Sequence, residues 1–203
     1  MSTPRRLPPT RWELVGEGNR GYGEHFADSV ARGVDIEGEA RLADALVPRE
    51  ARILDIGSGM GRVAAALQSR GHRVVATEPD AALRAQSRAT YPDLEVLPHE
   101  ALALDPDELG AFDLVVVVGN VMVYLGEDTE RQVLERVRDL LAPTGRALVG
   151  FHLTALKAGS RTYPADEFVA DATASGLRVV HRFGSYELHE PVDDYAVWVL
   201  ARA

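Results

Sequence analysis

Gly57, Gly59 and Gly61 alternate with Ser58 and Met60 directly after the apolar segment Ile53-Leu54-Asp55-Ile56, and a helical pattern begins at Arg62. A strand, a glycine turn and a helix in that order leave backbone N–H groups unpaired over the carboxyl end of a sheet, where small polar ligands bind. Glycine suits such a turn because the backbone can require positive φ and because a Cβ would block a ligand lying against it. Asp55 adds to the case. A carboxylate inside an apolar strand is unfavourable unless paired, which places it on the ligand side of the turn or at the helix N-terminus, with a purely structural cap as the other reading. Two more polar residues close apolar runs later in the chain, Asn120 after 112–118 and His152 after 147–151. An imidazole takes up a proton near neutral pH, whereas an amide only hydrogen-bonds.

These residues need elements to hold them. Ile36 to Val47 has a helical apolar pattern stopped by Pro48, and Tyr22, His25 and Phe26 are spaced for one helical face. After the glycine turn come a helix to Arg70, a strand from His72 to Thr77, and a helix from Ala81 to Thr90 that Asp80 can cap. A short strand at Leu94 to Leu97 precedes the loop Pro98-His99-Glu100-Ala101. Phe112 to Val118, with four consecutive valines, predicts a central parallel strand buried on both faces. An amphipathic helix follows from Glu127 to Leu141. Pro143-Thr144-Gly145 then turns the chain into a strand at Ala147 to Phe151. A helix from Ala165 to Ser175 and two strands, Leu177 to Phe183 and Tyr195 to Ala201, complete the pattern. Alternating strands and helices ended by two successive strands predict a single α/β domain, a parallel sheet finished by an antiparallel hairpin. Residues 1–11, rich in Pro, Arg and Thr, are expected to form a flexible tail.

Composition narrows the chemistry. A net charge of −9 with a pI near 5.2 disfavours a nucleic-acid partner, and Arg5, Arg6 and Arg11 form only a small basic cluster. The absence of cysteine removes disulfides, thiolate metal sites and cysteine nucleophiles together. No apolar run approaches membrane-spanning length, and the N-terminus lacks a signal-peptide core, so a cytoplasmic protein without membrane contact is expected.

Gly-x-Gly-x-x-Gly, the dinucleotide fingerprint, fails here because position 62 is Arg62, and no Gly-Lys-Ser/Thr follows for a Walker loop. The stretch instead resembles motif I of the class I S-adenosylmethionine-dependent methyltransferases, with Asp55 two residues before Gly57. The likeness continues through Glu78 and His99-Glu100-Ala101, then Phe112-Asp113-Leu114 and Leu141-Ala142-Pro143-Thr144-Gly145-Arg146, and so spans roughly residues 36–203. Tyr22, Gly38-Glu39-Ala40-Arg41 and Gly119-Asn120-Val121-Met122 further resemble a group of small bacterial methyltransferases of unassigned substrate.

The resemblance implies a Rossmann-like fold, α/β, with a seven-stranded, mostly parallel sheet in the order 3-2-1-4-5-7-6, helices on both faces and a C-terminal antiparallel strand. Residues 12–203 would form the methyltransferase domain, with 12–35 covering the active site. It also implies S-adenosylmethionine as cofactor, held by Asp55, Gly57, Ser58, Gly59, Gly61, Glu78, Pro79, His99, Glu100, Ala101, Gly119, Asn120 and Tyr22. In that arrangement the amides of Gly57 and Gly59 approach the methionine part. Glu78 accepts from the ribose hydroxyls, and the 99–101 loop meets the adenine. Asp113 is expected to be structural.

Methyl transfer from a sulfonium needs mainly orientation and electrostatics, and a general base only when the acceptor carries a proton. By topology His152 is the candidate base or polar anchor and Asn120 a hydrogen-bonding partner, the two catalytic candidates. Tyr22, His25 and Tyr163 are candidates to close the acceptor pocket. No metal is expected. A DNA-amino methyltransferase would show Asn/Asp-Pro-Pro-aromatic where Asn120-Val121-Met122-Val123 stands, and a magnesium-dependent catechol-type enzyme would show an acidic ligand near Gly119-Asn120. The expected function is transfer of a methyl group to a small-molecule acceptor by a monomer or homodimer. The alternatives are a catalytically silent S-adenosylmethionine-binding regulator and an NAD(P)-dependent oxidoreductase with a degenerate fingerprint.

Overall fold

Alternation of apolar residues about a period of two sorts the central strands between two cores, one on each face of the sheet. The computed structural model describes residues 7–19, 21–155 and 159–203. The strands are β1 (Arg52–Ile56), β2 (Arg73–Thr77), β3 (Val96–Leu97), β4 (Phe112–Val117), β5 (Leu141–His152), β6 (Leu177–Phe183) and β7 (Tyr195–Arg202). Their order is β3-β2-β1-β4-β5-β7-β6, as the sequence resemblance implied. Strands β1 to β5 pair in parallel, and β7 runs antiparallel to both β5 and β6.

The helices are α1 (Arg11–Val15), α2 (Tyr22–Ala31), α3 (Gly38–Ala45), α4 (Arg62–Ser69), α5 (Ala81–Thr90), α6 (Pro106–Leu109), α7 (Val121–Tyr124), α8 (Glu130–Leu140) and α9 (Ala165–Ala174). On one face Leu54, Val115, Val117 and Val149 pack with Val133, Leu134 and Val137 of α8 and Phe168 of α9. On the other, Ile53, Leu114, Val116 and Leu148 pack with Ala40 and Ala43 of α3 and Val63 and Leu67 of α4. This two-sided burial explains the valine run, since each fully buried Val or Leu contributes ~1.5–3 kcal/mol relative to exposure.

The structure departs from the sequence expectation most at β5 and at the N-terminus. Strand β5 begins at Leu141, where a helix end and turn are expected. Leu141 pairs with Phe112, and the register then shifts before Leu114 meets Arg146. Gly145 permits this irregularity, because a Cβ there would lie 2.7 Å from the Phe112 carbonyl oxygen. At the N-terminus, residues 1–6 of the expected tail lie outside the described residues, but its last residues are anchored. Thr10, 6% exposed, caps α1 in a reciprocal box with Glu13 and bridges to Gly126. Arg11 donates to the Leu125 carbonyl at 2.8 Å and pairs with the buried Glu130 at 3.1 Å. Among the described residues, no helix is long and apolar enough to cross a membrane.

Candidate active site

The parallel strands end on one edge of the sheet, and the loops that leave them enclose two adjoining chambers. The first is lined by Gly57 and Gly59 after β1, Glu78 and Pro79 after β2, His99, Glu100 and Ala101 after β3, and Gly119 after β4, with Tyr22 reaching in from α2. These nine are candidates from the sequence, and the fold collects them around one space. Asp55, Ser58, Gly61 and Asn120 do not line it.

Gly57, Gly59 and Gly61 all have positive φ, at 68°, 60° and 85°. Their surroundings differ. A Cβ on Gly57 would sit 2.5 Å from Val121 Cγ2, and one on Gly61 would sit 2.5 Å from Leu94 Cδ2 and 2.7 Å from Ser87 Oγ. Gly61 therefore serves helix packing, the role that the dinucleotide fingerprint gives to the next position. Gly59 has nothing within 4 Å of that point. Its N–H donates to Glu78 Oε2 at 2.9 Å, so this amide holds the carboxylate instead of standing free for a ligand.

Glu78 also accepts from the Asp80 N–H through Oε1 at 2.9 Å and is 6% exposed. Burial raises its pKa, and the two backbone hydrogen bonds oppose the rise. Each oxygen keeps a second lone pair for a further donor. Glu100 caps the following turn by accepting from the Leu102 N–H at 3.0 Å, and burial raises its pKa as well.

Asp55 lies fully inside β1 at 2% exposure. Its Oδ2 and the Ser58 hydroxyl have no hydrogen-bond partner among the described residues. Desolvation lifts its pKa to about 7, against the pull of nearby Ser58 and Arg62 and with the push of Glu78 and Glu39. Arg62 itself is clamped by both Glu39 oxygens, donates to the Ile36 carbonyl at 2.6 Å, and stands 5.1 Å from the Phe26 ring centre. It thereby braces α2 from beneath.

The second chamber adjoins the first and contains His152, Asn120, Tyr22 and His25. Asn120, in left-handed conformation at φ 77°, points its Oδ1 at the end of β5. That oxygen accepts from the His152 backbone N–H at 2.9 Å and lies 3.2 Å from His152 Nδ1. An amide oxygen only accepts, so Nδ1 carries the proton and Nε2 keeps its lone pair. Desolvation lowers the pKa of His152, with the Asp194 charge opposing, and Tyr195 packs edge-on against the ring at 4.7 Å. Tyr163, a candidate for the pocket, is instead fully buried in the core, donating to Asp171 at 2.8 Å and stacked on Phe151. Asp113 is structural as expected, accepting from the Arg52 N–H at 2.7 Å.

Trp12 is a wall residue that the sequence pattern did not single out, as is Tyr124, which also lines both chambers. Trp12 donates through Nε1 to Asp80 Oδ2 at 2.8 Å and meets Tyr22 and Tyr124 edge-on. The signal was present in Thr10-x-x-Glu13, a helix-start signature that places Trp12 on an ordered turn.

Among solved structures, a TehB-like S-adenosylmethionine-dependent methyltransferase from Corynebacterium glutamicum is 32% identical, with a TM-score of 0.81 over 91% of this chain and 98% of that one. This chain belongs to the class I S-adenosylmethionine-dependent methyltransferases. Residues 53–145 of this methyltransferase match the family described as a methyltransferase domain. Its cofactor is S-adenosylmethionine. Two more distant structures share the fold. The glycopeptide N-methyltransferase MtfA, solved with S-adenosylmethionine, is 18% identical with a TM-score of 0.66, over 82% of this chain and 93% of that one. A 1,6-didemethyltoxoflavin N1-methyltransferase from Burkholderia thailandensis is 18% identical with a TM-score of 0.64, over 100% of this chain and 93% of that one. No curated protein matches the chain.

Proposed function

We propose that the methyltransferase moves a methyl group from S-adenosylmethionine in the first chamber to an oxygen or nitrogen of a small molecule in the second, with His152 as general base. The donor supplies an electrophilic methyl group on a sulfonium. The first chamber suits it on two counts. Glu78 keeps two acceptor lone pairs for ribose hydroxyls, and Gly59 leaves open the space a side chain would fill. Gly57 admits Val121 to the wall, and Gly119, Pro79 and the 99–101 loop complete it.

The observation that carries the base assignment is the double use of Asn120 Oδ1. By accepting from both the backbone N–H and Nδ1 of His152, it fixes the ring and its tautomer and directs the free lone pair of Nε2 to the other side. A lowered pKa keeps that nitrogen unprotonated at neutral pH. The acceptor's O–H or N–H proton passes to Nε2 as its lone pair bonds the methyl carbon, and the electrons of the broken C–S bond stay on sulfur. The small acceptor fits a second chamber bordered by α1 and α2, and the acceptors in the names of both distant relatives given above accord with it.

Release of S-adenosylhomocysteine, followed over a panel of small acceptors, tests the assignment. The His152→Ala variant is expected to lose ~10²–10⁴-fold in turnover while binding S-adenosylhomocysteine unchanged. Equal turnover by variant and wild type overturns the base role.

A further inference from the structure

We propose that the acceptor is a neutral, planar aromatic or heteroaromatic molecule bearing an acidic O–H or N–H. This rests on the assignment of the second chamber to the acceptor. Among its described lining residues there is no Asp, Glu, Lys or Arg. Its wall is instead a chain of edge-to-face rings. Tyr124 meets Trp12 at 5.4 Å, Trp12 meets Tyr22 at 5.3 Å, Tyr22 meets Phe26 at 5.3 Å, and Phe26 meets His25 at 5.5 Å. The space beside them is about 480 Å³, within the range of pockets that take single small molecules.

Charge decides between acceptor classes. An anionic acceptor would leave water for a wall whose described residues hold no counter-charge, its desolvation offset by the donor's sulfonium, on a protein of net charge −9. Aromatic faces attract cations, but a cationic acceptor would stand against the like charge of the sulfonium. A protonated amine also has no lone pair to receive the methyl. A neutral body is what remains, and ring walls favour one with its own π-face over a branched saturated one.

Acidity decides the reacting group. His152 Nδ1 is held at 3.2 Å by the Asn120 amide oxygen, a neutral partner that gives an imidazolium no counter-charge, and desolvation also lowers its pKa, so Nε2 matches a phenolic or heteroaryl proton better than that of an aliphatic alcohol. A neutral acceptor also keeps the step balanced. One positive charge enters as sulfonium and one leaves as imidazolium, which returns its proton to solvent.

The test measures binding, separate from turnover. The protein is first saturated with S-adenosylhomocysteine, whose binding is itself measured by calorimetry, so loss of the donor site is recognised independently. A panel of neutral hydroxyaryl and N–H heteroaryl probes, from phenol and 2-naphthol to 2-hydroxyquinoline and indole, is titrated beside two matched sets. One set is anionic, such as 2-naphthoate, and the other saturated, such as decahydro-2-naphthol. At least one neutral aromatic probe is expected to bind tenfold or more tighter than its charged and saturated counterparts, and Tyr124→Ala or Phe26→Ala to erase that preference. Equal or tighter binding by the matched sets overturns the proposal, as does failure of every aromatic probe to bind below millimolar concentration. Persistence of the preference in both alanine variants overturns the placement against the ring wall.

Discussion

Replacing Asp55 by Asn removes a carboxyl group whose burial ties folding to pH. The group is 2% exposed, and its pKa rises from 3.8 to about 7 on folding. Below 3.8 both folded and unfolded chains carry the proton, and burial exerts no ionisation penalty. Between 3.8 and about 7 the unfolded chain releases it while the folded chain does not, so stability falls as pH rises. Above about 7 both are ionised and the loss is complete. At about 1.4 kcal/mol per unit, a shift of this size corresponds to ~4 kcal/mol as an upper figure. Glu78, Glu39 and Arg62, which face Asp55, remain in both proteins and cancel in the comparison. Urea unfolding of wild type and Asp55→Asn without ligand, at half-unit steps from pH 4 to 8.5, is expected to show the stability difference drifting in favour of Asn until about pH 7 and flattening beyond. Parallel curves across the whole range would falsify the claim that Asp55 is buried as a neutral acid.

Other substitutions separate donor binding, folding and catalysis. Glu78→Gln is expected to weaken S-adenosylhomocysteine by ~10–100-fold in calorimetry, the loss of charge-assisted hydrogen bonds worth ~1.5–3 kcal/mol, and unchanged affinity would refute the ribose role. Gly57→Ala, with its Cβ 2.5 Å from Val121 at φ 68°, is expected to destabilise by ~2–4 kcal/mol in urea unfolding. Gly59→Ala meets no atom within 4 Å and should show only the backbone strain, ~1–2 kcal/mol, while weakening the donor more than it weakens the fold. The activity of the wild type, as kcat/KM, should rise with pH through the lowered pKa of His152, below its ordinary 6.5, and level off above it. Asn120→Asp, whose carboxylate favours the imidazolium, should move that limb upward by ~1 unit or more; an unmoved limb would show that Asn120 does not set the base.

The sheet was legible because its signals are local. Short apolar runs such as 53–56 and 112–118, the glycine turn after the first and Pro48 at the end of a helix mark the strands within a few positions. The start of β5 was not, since Leu140-Leu141-Ala142 continue the apolar stripe of α8, and only pairing of Leu141 with Phe112 turns them into strand. The chamber walls on the parallel strands were legible for the same reason as the strands, through residues at their carboxyl ends. Asp55 near the end of β1, and Ser58 and Gly61 in the turn after it, sit behind the wall, and side-chain direction around a glycine turn cannot be read from spacing. The N-terminal contribution was the least legible. The hydrogen bond from Trp12 to Asp80 and the bridge from Thr10 to Gly126 join residues far apart in sequence, which no local pattern encodes.

Trp12, Tyr22 and Tyr124 stand in the partition between the two chambers and belong to both. A group that touches two ligands transmits the energetic consequences of one to the other. Whatever filling the first space does to these rings, by fixing or displacing them, alters the affinity of the second space by some factor, and linkage requires the reverse effect to have the same size. With donor and acceptor assigned to the two chambers as proposed, the ring partition makes them partners in a single binding equilibrium.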